Sequence, residues 1–222
     1  MAISSTFLFS LSGLQTAVDR QAVTAHNVAN VQTAGFKAHR ATQADLRTGG
    51  TRINAIDTLA AQGPILRTGG VMDLAVAGDG FFQVRTAAGA VQLTRDGSFR
   101  LDGQGRLADA QGNLLEPPMT VPAGAQALQV MSDGRVGAVM PDGSVEAIGQ
   151  IQLARAAVGA PAVGAPGQAG FGALIPGALE GSNVDLVNEM VNQIVDHRAF
   201  EANLKPIQTA DEMLGTVLDL RQ

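Results

Sequence analysis

Apolar residues in the first thirty positions step by three and four. Phe7, Leu11, Leu14 and Val18, then Ala25 and Val28, share one stripe with Gln21 on it. That spacing predicts an amphipathic helix across 3–34, with a heptad-like seam over about three heptads. Ser4, Ser5 or Thr6 is its expected cap. The far end repeats the pattern. Val184, Val187, Met190, Val191, Ile194 and Val195, then Phe200, Leu204, Ile207, Leu214 and Leu218, predict a second helix over 182–222. Ser182 or Asn183 is its expected cap, with Asp185 in the first turn. Pro206 predicts a kink near 202–206, since proline removes one hydrogen bond and costs about 3 kcal/mol inside a helix.

Between these ends the period changes. Residues 71–155 hold short apolar runs separated by Asp96-Gly97, Asp102-Gly103, Asp133-Gly134 and Asp142-Gly143, a hairpin signal that predicts a meander of short antiparallel strands. Residues 41–70 read as an extended connector, and 156–181, rich in Ala, Gly and Pro, as a return loop. The expected fold class is α+β and discontinuous. Helical segments 1–40 and 182–222 pair as a coiled-coil-like stalk, and a β-rich domain is inserted between them.

Charge supports that pairing. Residues 1–40 carry Arg20, Lys37 and Arg40 against Asp19 alone, whereas 182–222 carry seven acids against Arg198, Lys205 and Arg221. Opposite signs favour association of the two ends. The overall net charge of −5 and the lack of a Lys/Arg cluster give no footprint for nucleic acid. No apolar run reaches the roughly 18 residues of a membrane span. The first fourteen residues lack a basic n-region, so a cleaved signal peptide is not expected.

Candidate chemistry is sparse. With no cysteine there is no thiolate zinc site and no cysteine nucleophile. His26, His39 and His197 stand in no metal-binding spacing. Gly78-Asp79-Gly80 lacks the third glycine of a dinucleotide loop. DGQGRLAD at 102–109 lacks the ligand pattern of a calcium loop, and its aspartates fit hairpin turns. No catalytic, cofactor or metal residue is assigned. Asn27 and Asn30 are read as terminating the first helix.

Three stretches are specific in combination: AHNVANVQTAGFK (25–37), DLAVAGDGFFQV (73–84) followed by TRDGSFRLDGQGRL (94–107), and LEGSNVDLVNEMVNQIVDHRAFEANLKPIQTADEML (179–214). Together they resemble the bacterial flagellar rod and hook protein family over nearly the whole chain. The match rests on Asn27, Asn30, Thr33, Gly35 and Phe36 in the first block and on Gly80, Phe81 and Phe82 in the second. In the third it rests on Asn183, Glu189, Met190, Glu201, Asn203 and Asp211. His26, Val28, Leu93, His197, Phe200 and Pro206 depart from the family's usual residues. IGQIQLARA (148–156) resembles the distal-rod type, while the short stretch between Asp45 and Gly63 leaves a proximal position open.

The resemblance implies a non-catalytic structural subunit without cofactors, located in the flagellar basal body in the periplasm. It would polymerise through its terminal helices into a shaft that transmits torque. Phe7, Leu11, Leu14, Val18, Ala25, Val28, Val187, Met190, Ile194, Leu204, Ile207 and Leu214 are the expected assembly residues. Implied partners are copies of itself, other rod and hook proteins and the flagellar export apparatus, with bushing rings left open. Competing readings are a hook-type or lateral-flagellum axial protein, a secreted β-domain binding module, and a hydrolase with a hidden carboxylate pair.

Overall fold

A computed structural model describes residues 2–47, 49–155 and 161–219, with side chains for all of these except 2–5, 214 and 217–219. The chain divides into two compact units. One is helical and is drawn from 1–31, 37–61 and 184–222; the other is β-rich and is drawn from 32–36 and 62–183.

The helical unit consists of α1 (Ala2–Ala29), β1 (His39–Asp45), β2 (Thr51–Thr58) and α2 (Leu186–Asp219). The first helix is already formed at Ala2, upstream of the three hydroxyl residues expected to cap it. The second starts later than expected, because its cap is Asp185. The Asp185 carboxylate accepts the backbone N–H groups of Val187 at 3.0 Å and Asn188 at 3.3 Å, satisfying donors that the helix leaves open. Helix α2 then runs through Pro206 as one element.

The stretch 41–70, expected as a connector, instead contains a hairpin. Strands β1 and β2 pair antiparallel from His39↔Thr58 to Asp45↔Thr51, with a bulge between Thr42 and Gln43. The hairpin packs on a polar face of α1. Thr51 N–H donates to Ser12 Oγ, Thr16 Oγ1 donates to Thr51 O, and Thr51 Oγ1 donates to Thr16 Oγ1. Gly49 and Gly50 take positive φ there, and a Cβ at Gly49 would lie 2.6 Å from the Phe9 ring. A hairpin whose support is a row of helix hydroxyls leaves little hydrophobic pattern in its own strands.

In the β-rich unit the strands are short. They are β3 (Ile65–Arg67), β4 (Leu74–Ala77), β5 (Phe81–Arg85), β6 (Val91–Thr94), β7 (Arg100–Leu101), β8 (Leu107–Ala108) and β9 (Leu114–Glu116). Then come β10 (Ala127–Val130), β11 (Arg135–Val139), β12 (Val145–Gln150), β13 (Leu153–Arg155), β14 (Ala162–Gly164), β15 (Ala173–Pro176) and β16 (Ala178–Glu180). The main sheet runs β14-β13-β5-β9-β8-β7, with β6 also on β5, and β10-β11-β12 form a separate meander. Residues 161–181 are therefore woven into sheets and do not form the expected return loop: β14 pairs β13, β15 pairs β4 and β16 pairs β3. Residues 156–160 lie outside the described residues.

The core gathers Leu74, Val76, Phe82, Leu115, Ile151 and Leu153. Phe82 meets Phe99 edge to face, with centroids 5.1 Å apart. Gly80 takes φ 129°, a conformation that favours glycine, and a Cβ there would also press on the Leu153 side chain at 3.1 Å.

The turns share one design. In 46–50, 86–90, 102–106, 109–113, 131–135 and 140–144 the first N–H donates to the fifth carbonyl, and the fourth N–H to the first carbonyl. The fourth residue is in each case a glycine at positive φ. This is a three-residue hairpin loop closed by a glycine bulge. The expected Asp-Gly turn at 102–103 is thus displaced by two residues. Gly105 bends the chain, while Asp102 accepts the backbone N–H groups of Gln104 and Arg106. Asp96-Gly97 is not a hairpin at all; Asp96 accepts Ser98 N–H, and Gly97 lies under the Leu74 carbonyl.

Candidate functional site

Helices α1 and α2 touch along polar and small residues. Arg20 Nη2 lies 2.6 Å from Asp196 Oδ1. The Arg20 N–H is not aligned with that oxygen, so the contact is one of charge. Asn27 is 1% exposed and makes three bonds. Its Nδ2 donates to Glu189 Oε1 and His39 O, and its Oδ1 accepts His39 N–H. Asn27 therefore fastens both α2 and the start of β1, which goes beyond the helix-terminating role expected for it. Asn30 has the local role, with its Nδ2 donating to His26 O. Asn203 donates to Ala199 O and packs against Gly13.

The apolar residues face elsewhere. Val187 is 71% and Ile194 59% exposed, and Phe7, Leu11, Val18, Ala25 and Met190 are exposed as well. Leu14, Val28, Leu204 and Ile207 are half-buried, and the side chain of Leu214 lies outside the described residues. Two open grooves mark these faces. One, of about 450 Å³, runs along Thr6, Ala202, Pro206, Ala210 and Met213; the other, of about 520 Å³, along Gln21, Met190, Ile194 and His197. An apolar surface of this extent is unfavourable in water and marks an interaction site. Glu201 and Asp211 are exposed, with Glu201 3.7 Å from His197 Nδ1.

The glycine-centred turn at 32–36 belongs to the β-rich unit. Gly35 takes φ 68°, as its place in a turn predicts, and donates its N–H to Glu180 O at 2.7 Å. Thr33 O accepts Phe36 N–H, and Phe36 O accepts Asn183 N–H. Glu180 is fully buried. Its Oε1 accepts Gly63 N–H at 3.0 Å and its Oε2 accepts Arg95 Nη1 at 2.9 Å. Arg95 also donates to Gly78 O and stands 4.9 Å over the Phe81 ring. One carboxylate thus binds segments far apart in sequence. Around it, Gly35 is held by the backbone carbonyl of Glu180, Asn183 donates to Phe36 O, and Phe81 lies under the Arg95 guanidinium. Sequence reasoning did not single out Arg95 and Glu180 as partners, because nothing in the spacing pairs residues 85 apart.

Asp196 is held above the ordinary carboxylate range, first by burial and further by the charge of Glu189, with Arg20 opposing. Its proton is bound more tightly in the folded chain than in the unfolded one. Its contribution to stability therefore falls as pH rises from the ordinary carboxylate range through its raised folded value. The β-rich unit has the opposite sign. Asp102 and Asp133 are lowered by the backbone N–H groups of Arg106 and Arg135, Asp142 by Ser144, and Glu116 by Arg85. Their contributions are present above the ordinary range and are lost as pH falls through the lowered values. Asp196→Asn should flatten the acid-side slope of the helical unit, read by denaturation midpoints across the mildly acidic range. An unchanged slope would refute the assignment.

Among the described residues no group of three His, Cys, Asp or Glu could hold a metal ion, and no helix is long and apolar enough to cross a membrane. Three family models match in chain order: "Flagella basal body rod protein" over 7–37, "Flagellar hook protein FlgE/F/G D1 domain" over 75–138, and "Flagellar basal body rod FlgEFG protein C-terminal" over 175–220. The chain is 33% identical to flagellar basal-body rod protein FlgG of Bacillus subtilis, over 96% of this chain and 97% of that one.

The chain belongs to the flagellar basal-body rod protein family.

The FlgG protein of Borreliella burgdorferi is 34% identical over 89% of this chain and 91% of its own, and the FlgF protein of Escherichia coli 31% over 89% and 90%. The three matched blocks of the rod family fall on α1 with its following turn, on the core of the β-rich unit, and on β15 through α2. These relatives are named as flagellar basal-body rod proteins.

Proposed function

We propose that the protein is a structural, non-catalytic subunit of the bacterial flagellar rod. It polymerises through its terminal helices into a helical shaft that transmits torque. Residues 1–40 and 182–222 form the filament core as a coiled-coil-like pair, and the remainder lies outside it. The observation that carries this is the inversion of the helix pair. The contact between α1 and α2 consumes polar and small residues and leaves Phe7, Leu11, Val18, Val187, Met190 and Ile194 exposed. A heterologous contact between such faces on successive copies builds an open helical filament.

The assembly surface is Phe7, Leu11, Leu14, Val18, Ala25 and Val28 on α1, with Val187, Met190, Ile194, Leu204, Ile207 and Leu214 on α2. The FlgG-named relatives and the stretch 148–156 favour a place among distal rod subunits. Neighbouring rod and hook proteins and the flagellar export apparatus are the partners this role calls for.

Ile194→Asp and Leu11→Asp are expected to abolish filaments in negative-stain electron microscopy. Circular dichroism and the melting of the β-rich unit should stay within about 0.5 kcal/mol of the parent, as for exposed positions. Normal filaments from either variant would sink the proposal.

A further inference from the structure

The contacts between α1 and α2 obey a numerical rule. A Cβ on Gly13 would lie 2.5 Å from Asn203 Oδ1, Arg20 Nη2 lies 2.6 Å from Asp196 Oδ1, and Asn27 Nδ2 lies 2.9 Å from Glu189 Oε1. Each step of seven residues forward on α1 is a step of seven backward on α2. The helices are therefore antiparallel neighbours in a single register, with one rung every two turns. Rung by rung the partners differ: a glycine under an amide, a cation on a buried anion, an amide on a carboxylate. Ala17 and Ala199 line the same cavity as Arg20 and Asp196.

A seam of this kind reads register. A uniform apolar seam tolerates a slip of one heptad, because leucine meets leucine before and after. Here a slip in one direction sets Asp196 against Gly13, leaving a buried carboxylate without a cation. A slip in the other sets Arg20 against Asn203 and moves Glu189 past Ala29, the last residue of α1. An uncompensated buried charge is strongly disfavoured, whereas a buried pair itself adds little stability over apolar packing. The value of such residues lies in specifying one alignment.

We propose that Arg20, Asp196, Asn27 and Glu189 are positioning residues that fix the axial register of α1 against α2. They thereby set the stagger at which the two exposed apolar faces are presented to the next copy. This rests on the reading that those faces are where copies meet. Asn27 adds a second constraint by holding His39 at the start of β1, so the hairpin is placed by the same rung that aligns the helices.

The chain has no cysteine, so spin labels at Gln15→Cys and Gln193→Cys, both exposed positions, report the register of the full chain without ambiguity. Pulsed electron resonance on the monomer should give one narrow distance. Arg20→Met with Asp196→Leu is expected to broaden it or move it by up to about 10 Å, the rise of one heptad. The charge exchange Arg20→Asp with Asp196→Arg is expected to restore the parent distance. An apolar variant that keeps the single parent distance would overturn the proposal, and so would a folded charge-exchanged chain with a different one. If the apolar variant loses its helical circular dichroism, the charge-exchanged chain decides alone. Filament formation is scored separately. Failure of the parent chain to assemble would remove the assembly reading while leaving the register result intact. If the parent assembles, the apolar variant should lose filaments and the exchanged variant regain them.

Discussion

Glu180→Ala should destabilise the β-rich unit by about 3–5 kcal/mol, the penalty for stranding one member of a buried ion pair. Arg95 is buried with Glu180 fully enclosed beside it, and Arg95 Nε already has no acceptor among the described residues. Without the carboxylate the guanidinium keeps only the carbonyl contacts to Val76 and Gly78 and the Phe81 ring. Gly63 N–H loses its acceptor as well. Glu180→Gln retains acceptor capacity and shape and should cost less. Arg95→Met in the Glu180→Gln background should recover part of the loss, because no charge is then left buried. Glu116→Ala provides the contrast. Its pair with Arg85 is bidentate, at 2.8 and 3.1 Å, but faces solvent, where such pairs contribute little. Urea denaturation of the full chain measures both. A Glu180→Ala effect as small as that of Glu116→Ala would mean that the pair is not sealed from water.

Gly35→Ala should also be strongly destabilising. Its φ of 68° lies in the left-handed region, which costs a residue with a Cβ about 1–2 kcal/mol. A Cβ there would also fall well inside contact distance of Asp96 N, a backbone atom that cannot rotate away. The turn must therefore shift, and the hydrogen bond from Gly35 N–H to Glu180 O is lost with it. The expected signature is proteolytic cleavage within 32–36 at protease levels that leave the parent intact, together with a lower denaturation midpoint. The double variant with Glu180→Ala should fall short of the sum of the two effects, because Gly35 packs on the Arg95–Asp96 backbone and Glu180 holds Arg95. Strict additivity would mean that Gly35 and Glu180 act independently.

Legible in the sequence were the elements whose signal is local. The period of three and four from Phe7 to Val28 and from Val187 to Ile207 located both helices, and the glycine in TAGF announced its own positive φ. Aspartate-glycine pairs located hairpins at 131–135 and 140–144, although the residue that bends the chain at 102–106 is Gly105. What escaped depends on a distant surface. The β1–β2 hairpin is held by Ser12, Thr16 and Asn27 on a helix, and its own alternation is short, with Ile53 and Ala55 alternating with Arg52 and Asn54. Strands β15 and β16 take their order from β4 and β3, about a hundred residues upstream, and Ala, Gly and Pro do not advertise such pairing. The apolar stripes were read as the surfaces that matter. The polar rungs between them carry no hydrophobic signal and become visible only once both helices are placed.

The Glu180 clasp sets an order of events along the chain. Its hydrogen bonds close loops of 85 residues to Arg95 and 117 residues to Gly63. Loop-closure entropy grows only slowly with length, but none of these closures can begin before residue 180 exists in the same solution as its partners. A chain that enters the folding compartment N-terminus first can pair β5 with β6 and β10 with β11 early, since these contacts are close in sequence. Residues 35, 36 and 63 gain their bonds to residues 180–183 only when the last fifth of the chain has followed. Glu180 therefore acts as a completion signal through both its backbone and its carboxylate: these bonds close only when α2 is about to arrive, and a subunit truncated before residue 180 lacks them.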